Sequence, residues 1–425
     1  MYTLRASSHS SQRLLHRRLH LRAMSAPALW RADSSAARGS SVALFNEFLR
    51  STRAALTQSP ASVHIFMGNE AADADSIVSS LSYAFLHSQQ HSDTLSVPVL
   101  PILRKELALR CDVSAFFEGL GVDTNALVFV DEFPWEITGE SRVEVTLMDH
   151  NALNNKKIPH INDLQVVEIV DHHSDLGQHL NAKREVAFAD GNALVASTCT
   201  LVAEKLKEME SHEVHKLLST MLLGVIALDS INFDPSAKKV TPRDIKAAEK
   251  LEETAFAKKE TLFRWLQAEK FNPAHWGKFK LENCLQVDYK EFTFATASED
   301  KKVGISSVLL DLEAFVLKTK DAAELRKELS EYCKQNELSF LVVMTVFMTQ
   351  DKQRHRQLLF FQEIGNEAKC CIKFIEKEGS LQMQPLMLPE AHRDDHVAAF
   401  NQRNIGASRK QVAPLLQRAL AENLP

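Results

Sequence analysis

The stretch SVHIFMGNEAADADSIVSSLSYAFLH, residues 62–87, decides how the chain is to be read. Ser62–Met67 is a short apolar run closed by Gly68, and from Ser76 onward Ile77, Leu81, Ala84 and Phe85 recur at helical spacing. Strand, loop and helix follow one another within 26 residues. In the loop stand Asn69, Asp73 and Asp75, spaced i, i+4, i+6, so several oxygen donors can face one point. Taken alone, an Asp closing a strand is usually a turn or helix cap.

Working outward, further β-rich runs occur at Val97–Leu103, Ala126–Val130, Val143–Met148 and Gln165–Val170, with helical stretches or turns between them. Such alternation predicts an α/β domain with a mostly parallel sheet and helices on both faces. Ligands of such sheets bind outside the carboxyl ends of the strands. There the sequence places Asp131 and Glu132, then Asp149-His150-Asn151, then Asp171-His172-His173. Two helices are expected next, Ala193–Lys207 and Val214–Leu228, the second running straight into Asp229. The segment 234–243 (DPSAKKVTPR), with two prolines, reads as an interdomain linker and hinge. Beyond it, helices near 244–271 and 311–334 and strands near 338–348, 356–361 and 370–374 predict a smaller second α/β domain.

Composition narrows the function classes. A chain of 425 residues suits two or three domains, and no run reaches the roughly 18 apolar residues of a membrane helix, so no membrane span is expected. The six cysteines show no CxxC and no zinc-type spacing, and read as reduced core thiols. There is no G-x-G-x-x-G, no Walker loop and no G-x-S-x-G elbow. Residues 1–40 hold seven arginines, many serines and Asp33 as their one acid, the composition of a mitochondrial presequence; starting at Met24 would leave a cytoplasmic form. Without them the formal charge falls from −5 to −11, which argues against a nucleic-acid binder working through bulk charge.

Asn69, Asp73, Asp75, Asp149, His172 and Asp229 together offer four carboxylates, an amide oxygen and one imidazole. Hard oxygen donors of this kind suit Mg²⁺ or Mn²⁺. Carboxylates packed together repel and rise in pKa unless cations neutralise them. Two divalent ions do that, and such pairs clamp the attacking and leaving oxygens in phosphoryl displacement.

The segments GNEAADADS (68–76), LMDHN (147–151), EIVDHH (168–173) and LDSINFD (228–234) resemble the four motifs of the DHH phosphoesterase superfamily. VDYKEF (287–292), VGISSV (303–308) and ASRKQVAP (407–414) resemble its DHHA2-type second domain. The resemblance runs from about residue 43 to the end and leaves the leader, 1–42, uncovered; with the linker at 234–243 it implies a DHH metal-binding domain at 43–233 and a DHHA2 substrate domain at 244–425, with the active site in the cleft between them. It also implies two Mn²⁺ or Mg²⁺ ions, with Asn69, Asp73, Asp75, Asp149, His172 and Asp229 as ligands and Asp149 bridging. By the same resemblance His150 and Asp171 are supporting residues, His173 meets substrate phosphate and protonates the leaving group, and Lys290, Arg409 and Lys410 are phosphate-binding cations.

Members of the group are pyrophosphatases, exopolyphosphatases and prune-like proteins. The pyrophosphatases begin the first motif with histidine, whereas Asn69 stands here, as in exopolyphosphatase-like and prune-like members. The expectation is therefore an exopolyphosphatase that removes terminal phosphate from inorganic polyphosphate by attack of a metal-bound hydroxide. A manganese-dependent pyrophosphatase and a prune-like phosphodiesterase are the alternatives. Prune-like members are usually extended past the second domain; eleven residues, Leu415–Pro425, follow ASRKQVAP, which is expected of a plain enzyme. The exonuclease branch carries a glycine-rich C-terminal motif, and this chain has no Gly-Gly pair. A catalytically dead binding protein is disfavoured because every acidic position is filled. Oligomeric state is left open.

Overall fold

The computed structural model describes residues 35–423 apart from 59, 140–141, 154–157, 160, 207–214, 297–298, 350 and 352. The expected leader therefore lies outside the described residues up to 34. Its last part, 35–42, differs from expectation: it opens a helix in which Ser41 is fully buried and accepts from the Leu217 N–H at 3.1 Å.

The elements run α1 (Ser35–Leu56), β1 (Ser62–Met67), α2 (Ala74–Gln90), β2 (Leu95–Leu100), α3 (Cys111–Leu120), β3 (Val128–Phe129), β4 (Arg142–Met148) and β5 (Gln165–Asp171). They continue with β6 (Lys183–Val186), β7 (Phe188–Ala189), β8 (Asn192–Ala193), α4 (Thr198–Leu206), α5 (His215–Asp229), α6 (Pro242–Glu252) and α7 (Lys259–Lys270). Six strands form one sheet in the order β3-β2-β1-β4-β5-β6, every neighbouring pair parallel. The order reverses between β1 and β4, so the loops leaving these two strands diverge and open a crevice at their carboxyl ends. Asn69 and Asp149 sit on the two sides of that switch point.

The β1–α2 loop is tight for a local reason. A Cβ on Gly68 would lie 2.7 Å from Ser76 Cβ and 2.8 Å from its carbonyl oxygen, so only glycine lets the strand end approach the helix start. Asp73 then caps α2, its side chain accepting from the Ser76 N–H at 3.1 Å.

Alternation along the strands splits the core. One face carries Leu100, Phe129, Met148 and Val170 against residues of α1 to α7, including Phe45, Leu81, Phe117, Leu222 and Leu266. On the other face, Val63, Ile65, Val145 and Ile169 are covered by Phe133, Trp135, Ile137, Ile158 and Leu164. Among the described residues that face holds 3₁₀ turns (Trp135–Gly139, Ile161–Asp163) and loops where helices were expected. The large side chains in the connections into β4 and β5, with Leu56 from the end of α1, close the sheet there.

The first compact unit ends at Lys270, not at 233. The segment 234–243 is no linker: Pro235 opens a 3₁₀ turn and Pro242 takes the first position of α6, where a missing N–H costs nothing. Ala247, Ala248 and Leu251 of α6 and Leu262, Trp265 and Leu266 of α7 belong to the same buried cluster as α2 and α5.

The second unit, from Phe271, comprises α8 (Pro273–Lys278), α9 (Leu281–Gln286), β9 (Tyr289–Phe294), β10 (Lys301–Val308), α10 (Leu312–Val316) and α11 (Ala322–Gln335). It continues through β11 (Phe340–Met348), β12 (Arg354–Phe361), α12 (Glu367–Glu378), β13 (Met383–Pro385), β14 (Val397–Gln402) and α13 (Arg409–Asn423). Its mixed sheet runs β13-β14-β12-β11-β10-β9, with β10 and β11 parallel and the other pairs antiparallel. The strand expected at 370–374 is instead part of α12. Ala368, Cys371 and Ile375 bury one helical stripe, and Gly379 ends the helix in the left-handed region at φ 78°. A five-residue stretch with one lysine, CCIKF, does not alone distinguish the two periods.

The boundary yields a test. A fragment of residues 35–270 should unfold cooperatively with native-like helicity by circular dichroism. A fragment of 35–233, which loses the six core residues of α6 and α7, should be molten or insoluble; a cooperative transition from it would restore the boundary at 233.

Candidate metal centre

Asp149 is the hub of the site. It follows β4 at φ 63°, a left-handed backbone for a residue with a Cβ, held there by its N–H donating to Val170 O at 2.9 Å. Its carboxylate is 2% exposed. Oδ2 accepts from Asn69 Nδ2 at 2.7 Å and Ser76 Oγ at 2.8 Å; Oδ1 accepts from Thr198 Oγ1 at 3.3 Å and lies 3.3 Å from His172 Nε2. Burial alone would raise its pKa, but the bond to His172 and the charges of His173 and His172 prevail and hold it below the usual range.

Asp75, in the first turn of α2, is anchored by the start of α4. Its Oδ1 accepts from Ser197 Oγ at 2.6 Å and Cys199 N at 2.9 Å, and Oδ2 from Thr198 N at 2.8 Å. Free N–H groups and the positive end of the helix suit a carboxylate there. Even so, burial first and the Asp149 charge second push its pKa up to about 7.

His172 faces both acids, with Nε2 3.3 Å from Asp149 Oδ1 and 3.7 Å from Asp75 Oδ2. Its Nδ1 lies 3.0 Å from Val195 O; a carbonyl can only accept, so the proton there is fixed and Nε2 is the nitrogen that could hold a metal. Burial would lower its pKa, yet Asp149 and Asp75 push it up to about 10. His173 points Nδ1 at Asp171 Oδ1, 2.9 Å away. Asp171 is fully buried and also accepts from Asn151 Nδ2 at 2.6 Å, as well as from the main-chain N–H groups of His172 and His173. Asp149, His172 and His173 offer ligand atoms all within 4.8 Å of one another.

Asp229 ends α5 with its Oδ2 buried and, among the described residues, without a hydrogen-bond partner. A helix C-terminus is an unfavourable place for an anion. Burial, then the charges of Asp75 and Asp73, push its pKa well above the carboxylate range, with Lys270 opposing. The three residues Ile231, Asn232 and Phe233 follow at φ 55°, 53° and 61°, a strained turn directly behind it.

The donor set fits a divalent cation. An orphaned carboxylate oxygen, two further buried acids and an imidazole with its other nitrogen already fixed are what a hard metal with mixed O/N ligands requires. Two expected ligands sit differently. Asn69 donates from Nδ2 to Asp149 and accepts at Oδ1 from Ala71 N at 2.9 Å, so it anchors Asp149 rather than presenting an open oxygen. Asp73 is exposed and serves as the cap of α2. His150 turns its Nδ1 to Met148 O at 3.0 Å, and burial lowers its pKa.

Lys290, Arg409 and Lys410 belong to the second unit. Lys290 lies on β9 opposite Ile305, and Lys410 is exposed. Arg409 is a brace: it donates to Asp288 Oδ1 at 2.7 Å, to Asp288 O at 3.0 Å and to Ile305 O at 3.3 Å. Sequence reading placed Ser76 and Asn151 in motifs without giving them a role, and passed over Ser197 and Thr198. The Ser197-Thr198 pair opening an apolar helical run is an N-terminus signature that could have pointed to them.

Two family models match the chain: the DHH family, N-terminal domain, over residues 63–228, and the DHHA2 domain over residues 266–419. The exopolyphosphatase PRUNE1 of Homo sapiens is 31% identical over 381 residues, covering 88% of this chain and 79% of that protein. The manganese-dependent inorganic pyrophosphatase of Bacillus subtilis is 28% identical over 281 residues, 65% of this chain and 77% of that one. A solved Methanococcus jannaschii structure assigned to family II inorganic pyrophosphatases aligns over 84% of this chain and 99% of its own, with a TM-score of 0.51 and 21% identity, which bears on the fold. The chain belongs to the DHH phosphoesterase superfamily, in the group that joins a DHH domain to a DHHA2 domain.

Asp229→Asn should stabilise the chelator-treated protein at pH 7 by about 1–2 kcal/mol, a few degrees in Tm, because a buried unpaired acid is neutralised. Its folded pKa lies above the unfolded value, so the destabilisation by the wild-type acid appears only above about pH 4. The difference should therefore vanish as pH falls to that point. The variant should also lose the Mn²⁺-induced rise in Tm. A lower Tm at pH 7, or an undiminished response to Mn²⁺, would refute the assignment.

Proposed function

We propose that this protein is a metal-dependent hydrolase of phosphoanhydrides, and specifically an exopolyphosphatase that releases terminal phosphate from inorganic polyphosphate. The observation that carries the choice of substrate is Asn69. Where the pyrophosphatases that the chain resembles have a first-motif histidine, this chain has an amide whose two ends are already bonded to Asp149 and Ala71. The curated relatives that match most of the chain, 88% of it at 31% identity, are named exopolyphosphatases, which supports the same reading.

Two divalent ions, Mn²⁺ or Mg²⁺, are proposed for the centre, with Asp75, Asp149, His172 and Asp229 as the residues that would hold them and Asp73 at the exposed edge. When bound, such ions supply Lewis acidity toward the phosphate and a nucleophile at neutral pH. The chain's own part is orientation and proton transfer. Asp171 fixes His173 through Nδ1, which leaves Nε2 to pass a proton to the departing phosphate oxygen. Ser76, Thr198 and Asn69 hold Asp149 in one rotamer, so its position need not be organised during turnover. Lys290, Arg409 and Lys410 are proposed as the positive charge that polyphosphate requires of an acidic protein. The Arg-rich residues 1–40 support a proposal of mitochondrial import beside a cytoplasmic form.

Orthophosphate release should be measured on long-chain polyphosphate and on pyrophosphate side by side, each with Mg²⁺ and with Mn²⁺. Rapid release from polyphosphate with pyrophosphate left over is the expected result. Faster release from pyrophosphate would replace the proposal with a manganese-dependent pyrophosphatase, and no release from either would favour a phosphodiesterase of the prune-like kind.

A further inference from the structure

We propose that Asp244, a residue outside every motif of the site, is a positioning residue for the metal centre. It acts by holding the turn 195–200 that in turn holds His172, Asp75 and Asp149. The inference rests on the metal-centre reading given above.

Asp244 sits in the first turn of α6 and is fully buried. Part of its bonding is ordinary capping: Oδ2 accepts from Thr241 N and from Thr241 Oγ1, each at 2.8 Å. The rest reaches across 44 and 48 residues. Both carboxylate oxygens accept from Ala196 N at 3.0 Å, and Oδ1 accepts from Thr200 Oγ1 at 2.6 Å. A helix cap has no need of these.

What they secure is one short turn. Val195 O lies 3.0 Å from His172 Nδ1, the contact that sets the ligating tautomer. Ser197 Oγ and the N–H groups of Thr198 and Cys199 donate to Asp75 at 2.6, 2.8 and 2.9 Å. Thr198 Oγ1 donates to Asp149 at 3.3 Å. Four of the six residues 195–200 thus contact Asp75, Asp149 or His172, and Asp244 pins the other two, Ala196 and Thr200. With the carboxylate gone, a half-buried main-chain N–H at Ala196 loses its acceptor, and the turn has reason to rotate toward another. Groups that orient ligands in this way change metal affinity when altered, typically by 10- to 100-fold.

Asp244→Asn tests the idea without changing volume, since one acceptor oxygen becomes a donor facing N–H and O–H donors. In the full chain, calorimetric titration with Mn²⁺ should show affinity weakened 10- to 100-fold and a matching rise in the Mn²⁺ concentration that half-activates turnover. At saturating Mn²⁺ most of the turnover should return. Thr200→Val, which removes one donor and folds more safely, should weaken Mn²⁺ several-fold. Asp311→Asn serves as control, because Asp311 also caps a helix, accepting from Ala314 N at 2.7 Å, but in the second unit; its Mn²⁺ affinity should equal wild type. Folded Asp244→Asn or Thr200→Val with wild-type Mn²⁺ affinity overturns the role of Asp244 and leaves the metal centre standing. Wild-type protein that binds no Mn²⁺ overturns the metal-centre reading itself.

Discussion

Asp75, Asp149 and Asp229 are buried close enough to shift one another's ionisation, and mutual repulsion between them is the constraint from which the rest of the site follows. Removing a carboxylate from water is costly, and doing so beside another is more so. The protein answers in part. His172 keeps its proton against burial, three donors at the start of α4 meet Asp75, and hydroxyl and amide groups meet Asp149. Among the described residues, nothing donates a hydrogen bond to the buried Oδ2 of Asp229. A cluster in which buried acids outnumber the cations beside them is a place for cations, and that links packing to function without appeal to any relative.

Topology decides where this occurs. The residues lie at 69–76, 149–151, 171–173, 195–200, 229 and 244, yet each stands at or beside one end of a strand or helix of one unit. Reversal of strand order between β1 and β4 opens the crevice, and β5 delivers Asp171 and the histidines beside it. Three departures from relaxed geometry gather at the same edge: the close approach at Gly68, the left-handed Asp149, and the left-handed run 231–233. Strain of this kind persists only where surrounding contacts overdetermine it. The site is thus built by rigid elements, with little left for a ligand to organise.

Much of this was legible from the residues. The strand at 62–67 matches its expected bounds, and the β4, β5 and β11 runs fall within two residues, because apolar stretches closed by acids or glycine have one sensible reading in a parallel sheet. The ligand candidates on those strand ends were legible for the same reason. What was not legible depended on contacts between distant residues. Pro235 and Pro242 look like a linker locally, and only the packing of α6 and α7 onto α5 shows that they open helical turns. The stretch 370–374 is too short to reveal its period, which Ala368 and Ile375 settle from outside. Asn69 carried a correct position and an incomplete role: its place in the motif was visible, but its bond to Asp149 spans 80 residues. Asp244 was out of reach altogether, since a capping acid in PRD looks the same whether or not it also grips a remote turn.

The most direct measurement is anomalous diffraction at the manganese edge from crystals of the protein grown with Mn²⁺. The account predicts strong peaks bounded by Asp75 Oδ, Asp149 Oδ, His172 Nε2 and Asp229 Oδ2, with Oδ2 of Asp229 no longer orphaned. Manganese bound elsewhere, or absent from this edge of the sheet while the acids keep the arrangement described above, would contradict it.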